Sequence, residues 1–130
     1  MHIFRKASAL RAWVRGQKQQ GHRVGFVPTM GNLHAGHFSL IEIARRHCDR
    51  IVASVFVNPT QFGVGEDFDR YPRTLDDDLV VCEGAGVDVV LSPTVLEVYG
   101  DANGFRPDAI TIDPGPLGDI LEGASRRGHF

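Results

Sequence analysis

With only two cysteines, Cys48 and Cys82, in 130 residues, the chain lacks the thiols for a disulfide framework, and the two do not form a CxxC pair. Each falls within a helical pattern, so both read as reduced, buried small residues. Long apolar runs are also missing. Arg5, Lys6, Arg11, Arg15 and Lys18 interrupt the N-terminal region, which excludes a signal peptide or membrane span there and makes the cytoplasm the expected compartment. Charge of one sign is not in excess: a net charge of -2 and a pI near 6.3 give no electrostatic footprint for nucleic acid or for an anionic membrane surface. Any anionic ligand must therefore be captured locally. Internal repeats and low-complexity tracts are absent too. What is present, 42% hydrophobic and 23% charged residues, is an ordinary globular mixture at a length that suits one domain.

Residues 8 to 20 carry Leu10, Trp13, Val14 and Gln17 at helical spacing, with Ser8 as N-cap and Gly21 as the stop. Three apolar runs follow, "RVGFVP", "RIVASVFVNP" and "VDVVLSP", each closed by a proline and each read as a buried strand. Between the first two, Leu40, Ile41, Ala44 and Cys48 form a helical stripe. Between the second and third, Leu75, Leu79 and Cys82 form another behind Thr74 as N-cap. Strands alternating with helices at this spacing predict an α/β fold, a parallel sheet with flanking helices built from right-handed crossovers. In such folds ligands sit beyond the carboxyl ends of the strands, so the loops at 28–36, 58–73 and 93–100 are expected around one cleft. After Gly100 the pattern weakens, with one strand-like run "AITID" and a helical turn or two in "LGDILEG". A three-stranded sheet with an open edge, and an ending without an anchoring element, lead to the expectation of a truncated chain.

The stretch "PTMGNLHAGH", 28 to 37, places His34 and His37 where a strand hands over to a helix beginning near Ala35. His37 then heads the buried stripe, with His34 one turn earlier. Gly31 permits a tight exit from the strand, and Gly36 leaves the first helical turn open to a ligand, whose negative charge the free N–H groups there would favour. Two histidines at a helix N-terminus oppose its dipole when protonated, so they make better sense beside a phosphate, donating hydrogen bonds as charge builds in nucleotidyl transfer. For either histidine alone a packing role is the simpler reading. A zinc site is a third, but HxxH supplies only two ligands. The acidic run Asp76 to Asp78 is read as carboxylates stabilised by a helix dipole rather than as a metal site. Arg73 is read either as an anion ligand or as a surface arginine pairing with Glu66 or Asp67.

"PTMGNLHAGH" resembles the HxGH signature of the nucleotidylyltransferase superfamily. "VGFVPTMGNLHAGHFSLI", "SVFVNPTQFGVGEDFDRYPRTLDDDL", "GVDVVLSPTVLEVYG" and "LEGASRRGHF", in that order, are similar to the pantothenate synthetase (pantoate:beta-alanine ligase) family from Met1 to the last residue. The resemblance implies a Rossmann-like nucleotide- and pantoate-binding domain over 1–130, the N-terminal part of a two-domain enzyme. It also implies an AMP-forming ligase that condenses pantoate with beta-alanine through pantoyl adenylate, with ATP and Mg2+, as a homodimer. Carried over by position, Met30, Gly31, Asn32, Leu33, His34, Ala35, Gly36 and His37 match the segment lining the ATP site. His37 matches the proton-donor histidine, and His34 assists it at the phosphates. Gln61, Asn58 and Met30 match the pantoate and beta-alanine contacts. Without the resemblance, Gln61 reads as a solvated loop residue and Met30 as a core filler.

Arg127 stands where the family usually has proline, and the roles of Arg126 and His129 stay open. The expected absence of the family's later strands and closing domain implies a chain that binds its ligands but turns them over poorly. Two alternatives stand beside this reading: an adenylyltransferase with a phosphorylated acceptor, and a non-catalytic module for dimerisation or ligand binding.

Overall fold

The computed structural model describes residues 1–62, 68–101, 114–120 and 122–125. Four strands, β1 (His2–Phe4), β2 (Val24–Thr29), β3 (Arg50–Val55) and β4 (Val89–Leu91), form one parallel sheet in the order β1-β4-β3-β2. Helix α1 (Ala7–Gln19) joins β1 to β2, α2 (Ala35–His47) joins β2 to β3, and α3 (Leu75–Gly84) joins β3 to β4. This is the expected α/β sheet with one strand more than the sequence pattern predicts. β1 is too short to display a two-residue period. Its place is held by pairing alone, with His2 N–H on the Asp88 carbonyl at 2.9 Å and Ser92 N–H on the Phe4 carbonyl at 2.8 Å.

The chain steps from β2 to β3 to β4 between neighbours, carrying α2 and α3 over one face. Ile41 from α2 and Cys82 from α3 close on Val27, Ile51, Ala53, Val87 and Val90 to make the core. Val52 and Val89, alternate residues on the same strands, are buried on the other face. The connection from β1 to β2 crosses the full width of the sheet in the reverse direction, and right-handed crossover then sends α1 to that second face.

Several local expectations are corrected. Pro28 does not close its strand: it lies within β2, opposite Ser54, which the ladder tolerates because β2 is an edge strand among the described residues. For the same reason the strand is only partly buried, and Phe26 is exposed. Ser8 falls inside α1, whose N-cap is Lys6; the N–H of Ala7 is satisfied by the Glu97 carboxylate at 2.9 Å. Leu40 leaves the α2 stripe and is exposed, because the buried line runs through His37, Ile41, Ala44 and Cys48. Thr74 occupies the N-cap of α3, yet its hydroxyl donates to Asp78 instead of capping a backbone group.

Beyond β4 lie α4 (Val95–Tyr99), capped by Thr94 through the Glu97 N–H, and α5 (Glu122–Ser125). A 3-10 turn at Gly115–Asp119 occupies part of the predicted "LGDILEG" segment. "AITID" and the pairing of Arg73 with Glu66 or Asp67 fall outside the described residues, as do Arg126, Arg127 and His129.

Candidate functional site

Residues beyond the carboxyl ends of β2, β3 and β4 converge on a cleft of about 280 Å³. Met30 comes from the first loop, Phe68, Pro72 and Arg73 from the second, and Pro93 and Thr94 from the third, while Asp78 bounds it from α3. All three expected loops thus meet at one edge. His34, His37, Asn58 and Gln61 do not line this cleft, although Met30, their sequence companion, does.

The histidine pair is built into the start of α2. His34 is its N-cap, and its Nδ1 accepts the Gly36 N–H at 3.1 Å. His37 answers from N3, its Nδ1 accepting the N–H of His34 at 3.3 Å. The rings sit 4.1 Å apart between centroids. Two imidazoles thereby perform a reciprocal capping that is usually shared by a hydroxyl and a carboxylate. Each Nδ1 acts as acceptor, so in the neutral rings the hydrogen resides on Nε2, leaving that atom as the donor. Burial and the neighbouring His34 imidazole hold His37 below the ordinary value of 6.5, while the Asp78 carboxylate pulls the other way.

This geometry revises the reading of the helix start as an open anion site. The N–H groups of His34 and Gly36 are already bonded to imidazoles. A Cβ at Gly36 would meet His34 Cε1 at 3.0 Å and Nδ1 at 3.1 Å, so the space at this glycine is filled by the chain's own ring.

Asp78 is the residue that sequence reasoning missed. Only 2% exposed, it accepts Leu33 N–H at 2.8 Å through Oδ1, and Asn32 N–H at 3.1 Å and the Thr74 hydroxyl at 3.2 Å through Oδ2. The helix-dipole reading suits exposed Asp76 and Asp77 but does not describe Asp78. A signal was available: Leu75, Asp78, Leu79 and Cys82 follow i, i+3, i+4, i+7, which puts the third aspartate in the buried stripe.

On the second loop, Asn58 caps the 3-10 turn Pro59–Gln61. Its Oδ1 lies 3.2 Å from Thr60 N, 2.9 Å from Thr60 Oγ1 and 2.7 Å from the Tyr99 hydroxyl. Because a backbone N–H only donates, the atom facing it is the oxygen, and the amide nitrogen of Asn58 points the other way. Gln61 follows, exposed, with its N–H on the Asn58 carbonyl at 3.1 Å. Phe62 then packs edge-on against Phe68 and Tyr71, at 5.4 and 5.7 Å, and the Arg73 guanidinium covers Phe68 at 5.1 Å while donating to the Phe68, Asp69 and Tyr71 carbonyls. Arg73 is therefore engaged in shaping its own loop.

The sequence profile of the pantoate-beta-alanine ligase family matches residues 2–130. The chain belongs to that family. Pantoate-beta-alanine ligase relatives include the pantothenate synthetase of Aquifex aeolicus, 51% identical over 128 residues, a match covering 98% of this chain and 44% of the relative. That of Alcanivorax borkumensis is 51% identical over 130 residues, covering 100% and 44%. Among solved structures, pantothenate synthetase from Thermus thermophilus superposes with a TM-score of 0.84 at 46% identity, covering the whole chain and 44% of that protein. The ligase from Francisella tularensis, solved in complex with beta-gamma ATP and beta-alanine, gives 0.82 at 38% identity, covering 100% and 48%. The chain thus spans less than half the length of the family members it matches.

Proposed function

We propose that this chain carries the nucleotide- and pantoate-binding part of an AMP-forming ligase that makes pantothenate from pantoate and beta-alanine. The observation that carries the reading is the histidine pair, joined at the start of α2 by reciprocal capping that occupies Nδ1 of each ring and leaves Nε2 for a ligand. Family membership and the relative bound to ATP and beta-alanine support the choice of ligands.

In the reaction, a pantoate carboxylate oxygen attacks the α-phosphorus of ATP and the bond to the β-phosphate breaks, releasing pyrophosphate. The beta-alanine amine then attacks the acyl carbon of pantoyl adenylate, loses a proton, and AMP departs. His37 and His34 donate from Nε2 to phosphate oxygens as charge builds there, with His37 in the leading role. With Nδ1 held as an acceptor, the atom that donates is Nε2. Gly31, Asn32, Leu33, Ala35 and Gly36 provide the loop and first turn that carry these rings in the ATP site. Met30 and Gln61 face pantoate and beta-alanine, with the Asn58 nitrogen turned out of its capping cluster to join them.

Mg2+ is proposed only as the companion of the ATP phosphates. Among the described residues no group of three His, Cys, Asp or Glu is placed to hold a metal ion. The buried Asp78 carboxylate already receives backbone donors on both oxygens and the Thr74 hydroxyl on Oδ2. The enzyme is proposed to act as a homodimer in the cytoplasm. Separately, no helix among the described residues is long and apolar enough to cross a membrane.

Calorimetric titration with D-pantoate, and separately with Mg-ATP, tests the reading. Pantoate heat that vanishes in Gln61→Ala and ATP heat that vanishes in His37→Ala are the expected results. ATP heat with no response to pantoate would favour an adenylyltransferase acting on a phosphorylated acceptor, and silence with both would overturn the ligand assignment.

A further inference from the structure

Gly31 and Asn32 are successive residues with positive φ, 83° and 53°. The tight turn they make lets two neighbouring N–H groups reach a single acceptor. In this loop both the Asn32 and Leu33 N–H groups point at a carboxylate of the protein itself, Asp78, reaching across from the first turn of α3. Each carboxylate oxygen receives a donor from the loop, and the Thr74 hydroxyl is the third donor to the group and the second to Oδ2. An asparagine in its place would set an NH2 against an N–H. The fit is close on the loop side as well, since a Cβ at Gly31 would stand 2.8 Å from Asp78 Oδ2.

We propose that Asp78 is the positioning residue of the histidine loop: its buried carboxylate is the built-in anion of the Asn32–Leu33 amide pair and fixes the backbone one residue ahead of His34. Two consequences follow. Ligand phosphates are excluded from those two amides and must be met by the histidine Nε2 atoms and other donors. The orientation of both rings depends on a residue forty-one positions beyond His37, on a different helix.

The ligand arm of the test rests on the reading of this loop as an ATP site, whereas the amide arm does not. In ¹⁵N-labelled protein, hydrogen exchange at Asn32 and Leu33 is expected to be slowed at least tenfold relative to an open loop amide. In Asp78→Asn, which keeps one oxygen and replaces the other by NH2, at least one of the two amides should lose that protection and the His34 and His37 ring resonances should shift, while Ile51 to Ala53 in β3 stay protected. The dissociation constant for Mg-ATP should rise at least tenfold. Unprotected amides in the unsubstituted protein would overturn the proposal, even if Asp78→Asn failed to fold. So would a folded Asp78→Asn with both amides still protected, whatever its affinity for ATP, because the carboxylate would then act through charge alone. If the unsubstituted protein shows no heat with ATP, the nucleotide-site reading fails while the amide arm still decides the role of Asp78.

Discussion

The Tyr99 hydroxyl stands 2.7 Å from Asn58 Oδ1 and 3.1 Å from Thr60 Oγ1, tying α4 to the turn that follows β3. Two hydroxyl hydrogens are shared among three oxygens, so Tyr99 is a full partner in holding the Asn58 amide in one orientation. At its other side α4 presents Glu97 to the N-terminus of α1. Tyr99→Phe keeps the ring and its contact with Phe56, 6.4 Å between centroids, but removes the phenol. The expected loss is about 1 kcal/mol of stability in denaturant unfolding. Under the proposed function it also weakens pantoate binding severalfold while leaving Mg-ATP binding within twofold. Equal loss of both ligands would show that α4 supports the whole edge and not this turn.

The fold was legible where burial follows a simple period. Ile51, Ala53 and Val90 come from β-rich runs between turn residues, and Ile41, Ala44 and Cys48 keep the helical spacing that buries them. It was not legible where pairing alone decides, as for His2–Phe4, or where an edge position lets Pro28 stay in a ladder. At the site, the two histidines and the helix start near Ala35 were visible from a motif of ten residues. The partner that fixes their loop was hidden because a carboxylate in a helix's first turn already has a sufficient explanation in the dipole. The stripe through Leu75, Leu79 and Cys82 places the third aspartate inward, but only the folded arrangement reveals that it meets the Asn32 and Leu33 amides.

His37 gives a pH dependence with a definite sign. Burial and the adjacent His34 lower its folded value below the ordinary 6.5, so the folded chain binds its proton less readily than the unfolded chain does. The contribution to stability is fully present above about pH 6.5 and is lost as the pH falls through the lower folded value. A proton on Nδ1 would also displace the His34 N–H and open the reciprocal cap. Unfolding midpoints in urea should therefore fall between pH 7 and pH 5, with a shallower fall in His37→Gln. An identical slope in that variant would assign the acid sensitivity elsewhere.

Cys82 is fully buried in the core, and burial together with the Asp78 carboxylate pushes its thiol up to about 11. Thiolate is the reactive form, so Cys82 is expected to resist iodoacetamide at pH 8 for as long as the protein is folded. Cys48, at the end of α2, is only half-buried. Peptide mass spectrometry should find any native-state label on Cys48 and none on Cys82, with both labelled in denaturant. Rapid native labelling of Cys82 would mean that α3 opens locally.

Gly31→Ala and Gly16→Ala make the same chemical change with opposite expected signs. At Gly31 the φ of 83° disfavours any L side chain, and the added methyl meets Asp78 Oδ2 at 2.8 Å and Val55 Cγ1 at 3.1 Å. Strain and displacement of a buried carboxylate together should cost about 2–3 kcal/mol. Gly16 lies inside α1, where a Cβ would find nothing within 4 Å, so alanine there should stabilise by about 0.5–1 kcal/mol. Denaturant midpoints of the two variants should straddle that of the parent. A harmless Gly31→Ala would require the loop to have adopted another conformation, and the Asn32 and Leu33 amides would then exchange freely.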